Sequence, residues 1–302
     1  MRPFSALSRE ARWGYLLTAP ALLVIVLVTL YPMGYTLWLS FQQKIIKFPW
    51  LYQGWVGLAN YQELLTSIRF WQALGHTLLF TIVSVSLELV LGLLVALALN
   101  RALIFTGLVR ATILLPWAIP TVVAAVMWLF LVSPVFGLIP MVLRALGFGG
   151  NALVLLAHPW TAWVVIIATD AWKTIPFMTL MLLAGLQTIP GDLYEAAVMD
   201  GATRWQTFWH ITLPLLKPAI LVALIFRTAQ AFMVFDHVYA LTAGGPGTAT
   251  ETLAFLNYQA ILNDMRFGYG SALSVLIFFS SLVFALLYIH TLGLHPEGSE
   301  KI

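Results

Sequence analysis

Apolar residues run along this chain in long unbroken blocks, separated by shorter stretches in which charge, Gly and Pro collect. A hydrocarbon core of about 30 Å needs roughly 20 helical residues, and a helix is the default there because lipid offers backbone groups no partners. Six blocks have that length: Tyr15 to Ser40, Leu74 to Leu99, Gly107 to Val132, Trp160 to Leu186, Leu215 to Leu241 and Gly268 to Leu292. The pattern predicts an all-α polytopic membrane protein with six transmembrane helices in a single domain, residues 1–302. Pro116 and Pro120 in the third block and Pro176 in the fourth predict bent helices lining something, since the carbonyls they free need neighbouring protein or water.

The first block follows Arg2, Arg9 and Arg12 like a signal peptide, but its apolar run is too long and lacks an A-x-A site, so it is expected to stay as a span. Lys and Arg in the short loops set orientation. With a cytoplasmic N-terminus the inner segments carry Arg2, Arg9, Arg12, Arg101, Arg110, Arg204, Lys217 and Lys301, and the outer ones Lys44, Lys47, Arg69, Arg144 and Arg266. Both termini are therefore expected inside. Trp50, Tyr52, Trp55, Tyr61 and Trp71, in the loop from Lys44 to Trp71, are placed to form an aromatic belt at the headgroups.

Composition narrows the function. Hydrophobic residues make up 61% and charged ones 9%, against about 45–50% and about 25% in soluble domains. The net charge of +3 is spread thinly and forms no basic stripe, so no nucleic-acid partner is expected. With no cysteine there is no disulfide, iron–sulfur cluster or thiolate zinc site. His76, His158, His210, His237, His290 and His295 lack ligand spacing such as H-x3-H, which leaves no metal site and no catalytic constellation.

The longest inner loop, residues 187–214, is neither apolar enough for lipid nor low in complexity. Pro190, Gly191 and Asp192 read as a helix start, with Asp192 as N-cap and Glu195 as its capping-box partner. Leu193, Ala196, Ala197 and Val198 continue a short helix that Gly201 ends. Such a helix, small on one side and charged on the other, is a docking element.

Glu195-Ala196-Ala197, three residues, Gly201, nine residues, Ile211, one residue, Leu213-Pro214 matches the E-A-A-x3-G-x9-I-x-L-P signature of the membrane subunits of binding-protein-dependent ABC importers. Thr242-Ala-Gly-Gly-Pro246 resembles the T-x-G-G-P segment of their sugar-importing branch. From first block to last the chain resembles the maltose- and trehalose-type sugar permeases, and Trp172-Lys-Thr-Ile-Pro-Phe-Met178 and Phe226-Arg-Thr-Ala-Gln230 look closest to the trehalose type.

The resemblance implies a type I ABC importer permease fold in the cytoplasmic (inner) membrane of a bacterium or archaeon, working by alternating access. It implies a second homologous permease subunit, two ATP-binding cassette ATPase subunits, an extracytoplasmic sugar-binding protein and a disaccharide substrate such as trehalose or maltose. Glu195, Ala196, Ala197, Asp200 and Gly201 would then belong to a coupling helix seated in an ATPase cleft. The residues agree with that division of labour: there is no G-x4-G-K-[ST] loop, and Lys173-Thr174 lacks the glycines that cradle phosphate. No cofactor is expected in this chain, with ATP and Mg held by the ATPase subunits. A permease for another small solute, such as glycerol phosphate or an oligosaccharide, is one alternative. A secondary transporter relaying protons through Glu88, Asp170 and Asp236 is another.

A charge at mid-bilayer costs on the order of 2.5 to 3.5 kcal/mol on insertion scales, so each buried one needs a partner or water. Asp170, Lys173, Thr174 and Phe177 fall at i, i+3, i+4 and i+7, on one helix face. A carboxylate, an ammonium, a hydroxyl and an aromatic ring together suit a sugar's hydroxyls and its C–H face. Arg227, Gln230, Ala231 and Val234 repeat the pattern on the fifth block. By resemblance to the maltose type, substrate contacts fall on Asp170, Thr174 and Phe177 and near Arg227 and Ala231, although the side chains here differ from the neutral amides and tyrosine of that pattern. The candidate substrate residues are thus Asp170, Lys173, Thr174, Phe177, Arg227, Gln230 and Ala231. An opposing reading makes Asp170 and Lys173 an ion pair that only neutralises both, and the fork of Arg227 can serve a sugar, Asp170 or Glu88. Asp236, nine residues past Arg227, lies roughly 180° around a continuous helix and is expected in helix packing or subunit contact. His237 and Glu88 read as lone polar core groups.

Overall fold

Helix formation dominates because the apolar blocks carry few breakers and many good helix formers. The computed structural model describes residues 9–100, 106–149 and 154–292; Arg2, Arg101, His295 and Lys301 lie outside the described residues. Its helices are α1 (Arg9–Ile25), α2 (Tyr31–Ser40), α3 (Ala59–Thr66), α4 (Ile68–Leu99), α5 (Thr106–Ala118), α6 (Thr121–Leu131), α7 (Leu138–Ala145), α8 (Pro159–Gln187), α9 (Gly191–Met199), α10 (Arg204–Thr207), α11 (Leu213–Phe232), α12 (Asp236–Leu241), α13 (Leu253–Tyr258) and α14 (Phe267–Leu292). Wider π turns join α1 to α2 at Val26–Leu30, α10 to α11 at Phe208–Thr212, and follow α13 at Gln259–Asn263.

Five helical segments are long and apolar enough to cross a membrane: Trp13–Ser40, Ile68–Leu99, Pro159–Gln187, Arg204–Phe232 and Phe267–Thr291. The third expected span is broken instead. Ala111–Ala118 and Thr121–Leu131 meet at 96°, which makes six crossings if the bent pair counts as one. Proline disfavours helical backbone at the residue before it, and Pro120, with ψ 137°, starts α6 rather than continuing α5. Pro116 and Pro176 lie within α5 and α8 without ending them. The fifth span is displaced along the sequence: it begins at Arg204 and stops at Phe232, where the Met233 and Val234 amides bond back three residues to Gln230 and Ala231 at 3.1 Å each.

The chain divides into two compact units. The smaller comprises residues up to Ser67 together with Asn257–Leu276. In it β1 (Gln42–Gln43) pairs antiparallel with β2 (Gly54–Trp55). Asn60 at the start of α3 donates to the carbonyls of Ser40 and Gln42, both at 2.8 Å. Residues 44–46 meet 265–267 through Ile46 N to Met265 O at 3.0 Å and Phe267 N to Lys44 O at 2.8 Å. A Cβ on Gly268 would fall on the Gln42 carbonyl, so this approach requires glycine. Arg266 donates to Glu63 at 2.6 Å, and that bond, against partial burial, pushes the guanidinium above its ordinary value.

The larger unit, Ile68–Leu256 with residues from Ile277 on, holds the main hydrophobic core around Phe80, Ile166, Met178, Leu182 and Leu216. There α4, α8 and α11 pack with almost no spacing. A Cβ on Gly92 of α4 would stand 2.7 Å from Met178 Cγ, and one on Gly185 of α8 would strike the Ala219 side chain of α11. The small residues are what let these backbones approach.

Candidate functional site

Three helices of the larger unit bring one buried charge each to a common point. Arg227 on α11 donates through Nε and Nη2 to both carboxylate oxygens of Glu88 on α4, the second bond at 2.8 Å. Its Nη2 also donates to Asp170 Oδ2 on α8. Glu88 is 0%, Arg227 2% and Asp170 4% exposed, so one guanidinium serves two carboxylates away from solvent. Removing all three charges in favour of apolar groups could be neutral, whereas removing one leaves the others uncompensated. Asp170 takes Arg227 as its cationic partner, not Lys173 one turn away.

Beside this cluster is a cavity of about 310 Å³. Asp170, Lys173, Thr174, Arg227 and Gln230, all named from the sequence, line it. Thr174 Oγ1 donates to the Asp170 carbonyl at 2.6 Å, which fixes its hydroxyl and leaves the oxygen's lone pairs to accept. Phe177 is absent from the lining but stacks on Trp117, which belongs to it, with centroids 6.1 Å apart. Ala231 is 1% exposed and packs in the core.

Apart from Val234, which helical spacing placed on the Arg227 face, the remaining lining comes from residues that spacing could not supply. Trp117 and Thr121 flank the bend at Pro120, and Met233 to His237 follow the end of α11. Because α11 stops at Phe232, Asp236 turns back into the same cavity as Arg227 instead of lying opposite it. The available signal was an acidic residue opening a new helix, since Asp236 is the first residue of α12. His237 has Nδ1 3.8 Å from Asp170 Oδ1 and a buried Nε2 without a hydrogen-bond partner. The cavity thus offers carboxylates, an ammonium, a guanidinium, two hydroxyls, an amide, an imidazole and an indole. Such a set of donors and acceptors is complementary to a polyhydroxylated solute, and no group of three or more His, Asp or Glu among the described residues could hold a metal.

The segment after α12 is braced from two helices. Arg69 grips Glu251 with Nε and Nη2 at 2.7 and 2.6 Å, Trp163 Nε1 donates to Ala249 O at 3.0 Å, and the Leu253 amide donates to Thr77 Oγ1 at 2.9 Å. Within it, the hydroxyls of Thr242 and Thr250 lie 2.8 Å apart. Gly244, at φ 84°, packs against Phe255, and the Gly245–Pro246 bond is cis.

The candidate coupling segment is α9. Its N-cap is Pro190 rather than Asp192, whose side chain makes no capping bond; Asp192 lies instead in the first turn, where its charge suits the helix dipole. Ala202 N bonds Ala197 O at 2.9 Å and Gly201 N bonds Val198 O at 3.0 Å, a Schellman turn with Gly201 at φ 73°. Glu195, Ala196 and Asp200 are exposed and Ala197 is buried. Val198 and Met199 are 72% and 86% exposed, an apolar tip beside the acidic groups. The following turn has a capping box that Thr203 and Gln206 spell out in the sequence.

Compared with known proteins, residues 88–292 match the family described as binding-protein-dependent transport system inner membrane component. The chain is 44% identical over 281 residues to the trehalose/maltose transport system permease protein MalF of Thermococcus litoralis, covering 93% of this chain and 94% of that one. It is 41% identical over 295 residues to the trehalose transport system permease protein SugA of Mycobacterium tuberculosis, covering 96% and 92%. A chain from the crystal structure of a bacterial ABC transporter involved in the import of the acidic polysaccharide alginate superimposes with a TM-score of 0.79 at 26% identity, covering 94% of this chain and 97% of that one. The chain belongs to the binding-protein-dependent transport system inner membrane components: it is a multi-pass permease of an ABC importer.

Proposed function

We propose that this permease carries a disaccharide of the trehalose or maltose kind through the cavity bounded by Asp170, Lys173, Thr174, Arg227 and Gln230. The observation that carries the reading is the convergence of those side chains, from α8 and α11, on one cavity between membrane-length helices. The relatives named for trehalose and maltose transport, at 44% and 41% identity, support the substrate class. Lys173, Arg227 and Gln230 donate to sugar oxygens, Asp170 and Asp236 accept from sugar hydroxyls, and Trp117 offers a flat apolar face.

The rest of the machine is what the resemblance to ABC importer permeases implies, and the chain's own chemistry agrees with it. The protein has no phosphate-cradling loop, so ATP and Mg are bound by two ATPase subunits, and α9 seats in them with Glu195 and Asp200 towards basic groups and Val198 and Met199 in an apolar recess. A second permease closes the cavity, a sugar-binding protein delivers from outside, and both termini are cytoplasmic. Closure of the ATPase pair rocks the permeases between inward- and outward-facing forms.

The test is ATP hydrolysis by the complex in lipid with its binding protein, across trehalose, maltose, sucrose, lactose and glycerol phosphate. Stimulation by trehalose or maltose alone is expected. Stimulation only by glycerol phosphate, or by none of the panel, overturns the disaccharide reading.

A further inference from the structure

The guanidinium beside the cavity is the group a designer would choose to receive a phosphate, sulfonate or uronate, because its planar fork matches such anions bidentately. In this chain the Nε–Nη2 edge of that fork is already used. Glu88 takes Nε and one Nη2 bond, and Asp170 takes Nη2 from the other side. Glu88 reaches Arg227 from α4 without lining the cavity itself, and it is 0% exposed. It contributes charge there, not a contact surface.

The sum of charges points the same way. Around the cavity stand two cations, Lys173 and Arg227, against three carboxylates, Glu88, Asp170 and Asp236. The net charge is −1, and protonation of His237 brings it at most to zero. Close to a charged group, an uncompensated unit charge of like sign disfavours binding. An anionic solute meets a guanidinium whose Nε and Nη2 are committed to two carboxylates, and no excess of positive charge, whereas a neutral sugar meets donors and acceptors in balance. Without Glu88 the same count is two against two, and half of the Arg227 fork is released.

We propose that Glu88 is a selectivity-positioning residue: by sharing Arg227 with Asp170 it keeps the guanidinium from acting as an anion receptor, so this site takes uncharged sugars and rejects phosphorylated, sulfonated or uronate ones. The inference rests on the cavity being the sugar site.

Ligand-observed saturation-transfer NMR on the purified complex in nanodiscs, with the binding protein left out, isolates the permease's own preference. The probes are trehalose and trehalose 6-phosphate. Wild type is expected to bind trehalose at least tenfold more tightly than its 6-phosphate. Glu88→Gln, which keeps the shape and loses the charge, is expected to shift that ratio at least tenfold towards the phosphate, and Asp170→Asn to shift it in the same direction. Misfolding cannot produce such a gain. Equal binding of both probes by wild type overturns the proposal, as does an unchanged ratio in the two variants. Thr174→Trp separates the two levels of inference: if it fails to abolish trehalose binding the cavity is not the sugar site, whereas if it does abolish binding and Glu88→Gln leaves selectivity unchanged, only the charge lock is lost.

Discussion

If α9 is the coupling helix proposed above, the turn that ends it sets a measurable limit on coupling. Gly201 holds φ 73°, and nothing lies within 4 Å of where its Cβ would be. A substituent there therefore meets no atom of this chain, and its cost is backbone strain alone. For an L-residue in the left-handed region that cost is about 1–2 kcal/mol, with Asn penalised less because its side chain bonds locally, and β-branched residues more. If the Schellman turn must be in place for α9 to seat, that energy lowers the seated population by about 5- to 30-fold. The series Gly201→Asn, Gly201→Ala and Gly201→Val should thus lose affinity for the ATPase subunits, and sugar-stimulated ATP hydrolysis, in that order. Biolayer interferometry of nanodisc-held permease with free ATPase subunits measures the first, and phosphate release from reconstituted complex the second. Equal behaviour of all three with wild type would refute the role of the turn. An effect following side-chain volume with Asn as damaging as Val would refute the conformational reasoning and point to a partner surface pressed against residue 201.

Two further outcomes are expected in the helix core. Gly92→Ala places a Cβ 2.7 Å from Met178 Cγ and 3.3 Å from the Thr179 backbone nitrogen, an overpacking cost of about 1–3 kcal/mol, whereas Gly75→Ala on the same helix meets nothing within 4 Å and should be neutral or slightly stabilising; thermal unfolding followed by Trp fluorescence separates them, and equal midpoints would contradict the close packing of α4 on α8. Arg227→Met strands two buried carboxylates and should cost about 3–5 kcal/mol, most of it recovered in the triple variant with Glu88→Gln and Asp170→Asn. A triple variant no more stable than the single one would show that charge pairing is not what Arg227 supplies.

What the sequence made legible depended on how local the cause was. Four spans and the helix end at Gly201 arise from contiguous composition or a single backbone requirement, and they read directly. Helical spacing also placed Asp170, Lys173 and Thr174 on one face, because rotation about a continuous helix is fixed by residue count. The same arithmetic misplaced Asp236, since it presumes continuity and α11 ends four residues earlier. The 96° bend was foreshadowed by Pro120 only as a kink; its size depends on what packs around it. Glu88 looked solitary because its partner is 139 residues away, and no periodicity encodes a contact between helices at that separation.

The close passages at Gly92 and Gly185 have a mechanical consequence. With α4 pressed on α8, α8 pressed on α11, and Arg227 tying all three, sliding these helices past one another would tear apart a charge cluster in apolar surroundings. They make a rigid side to the cavity. Two of the breaks between helices in the larger unit, residues 119–120 and 233–235, border the cavity and offer it joints. A wall that is rigid on one side and jointed on the other can change its opening while keeping its charges in register.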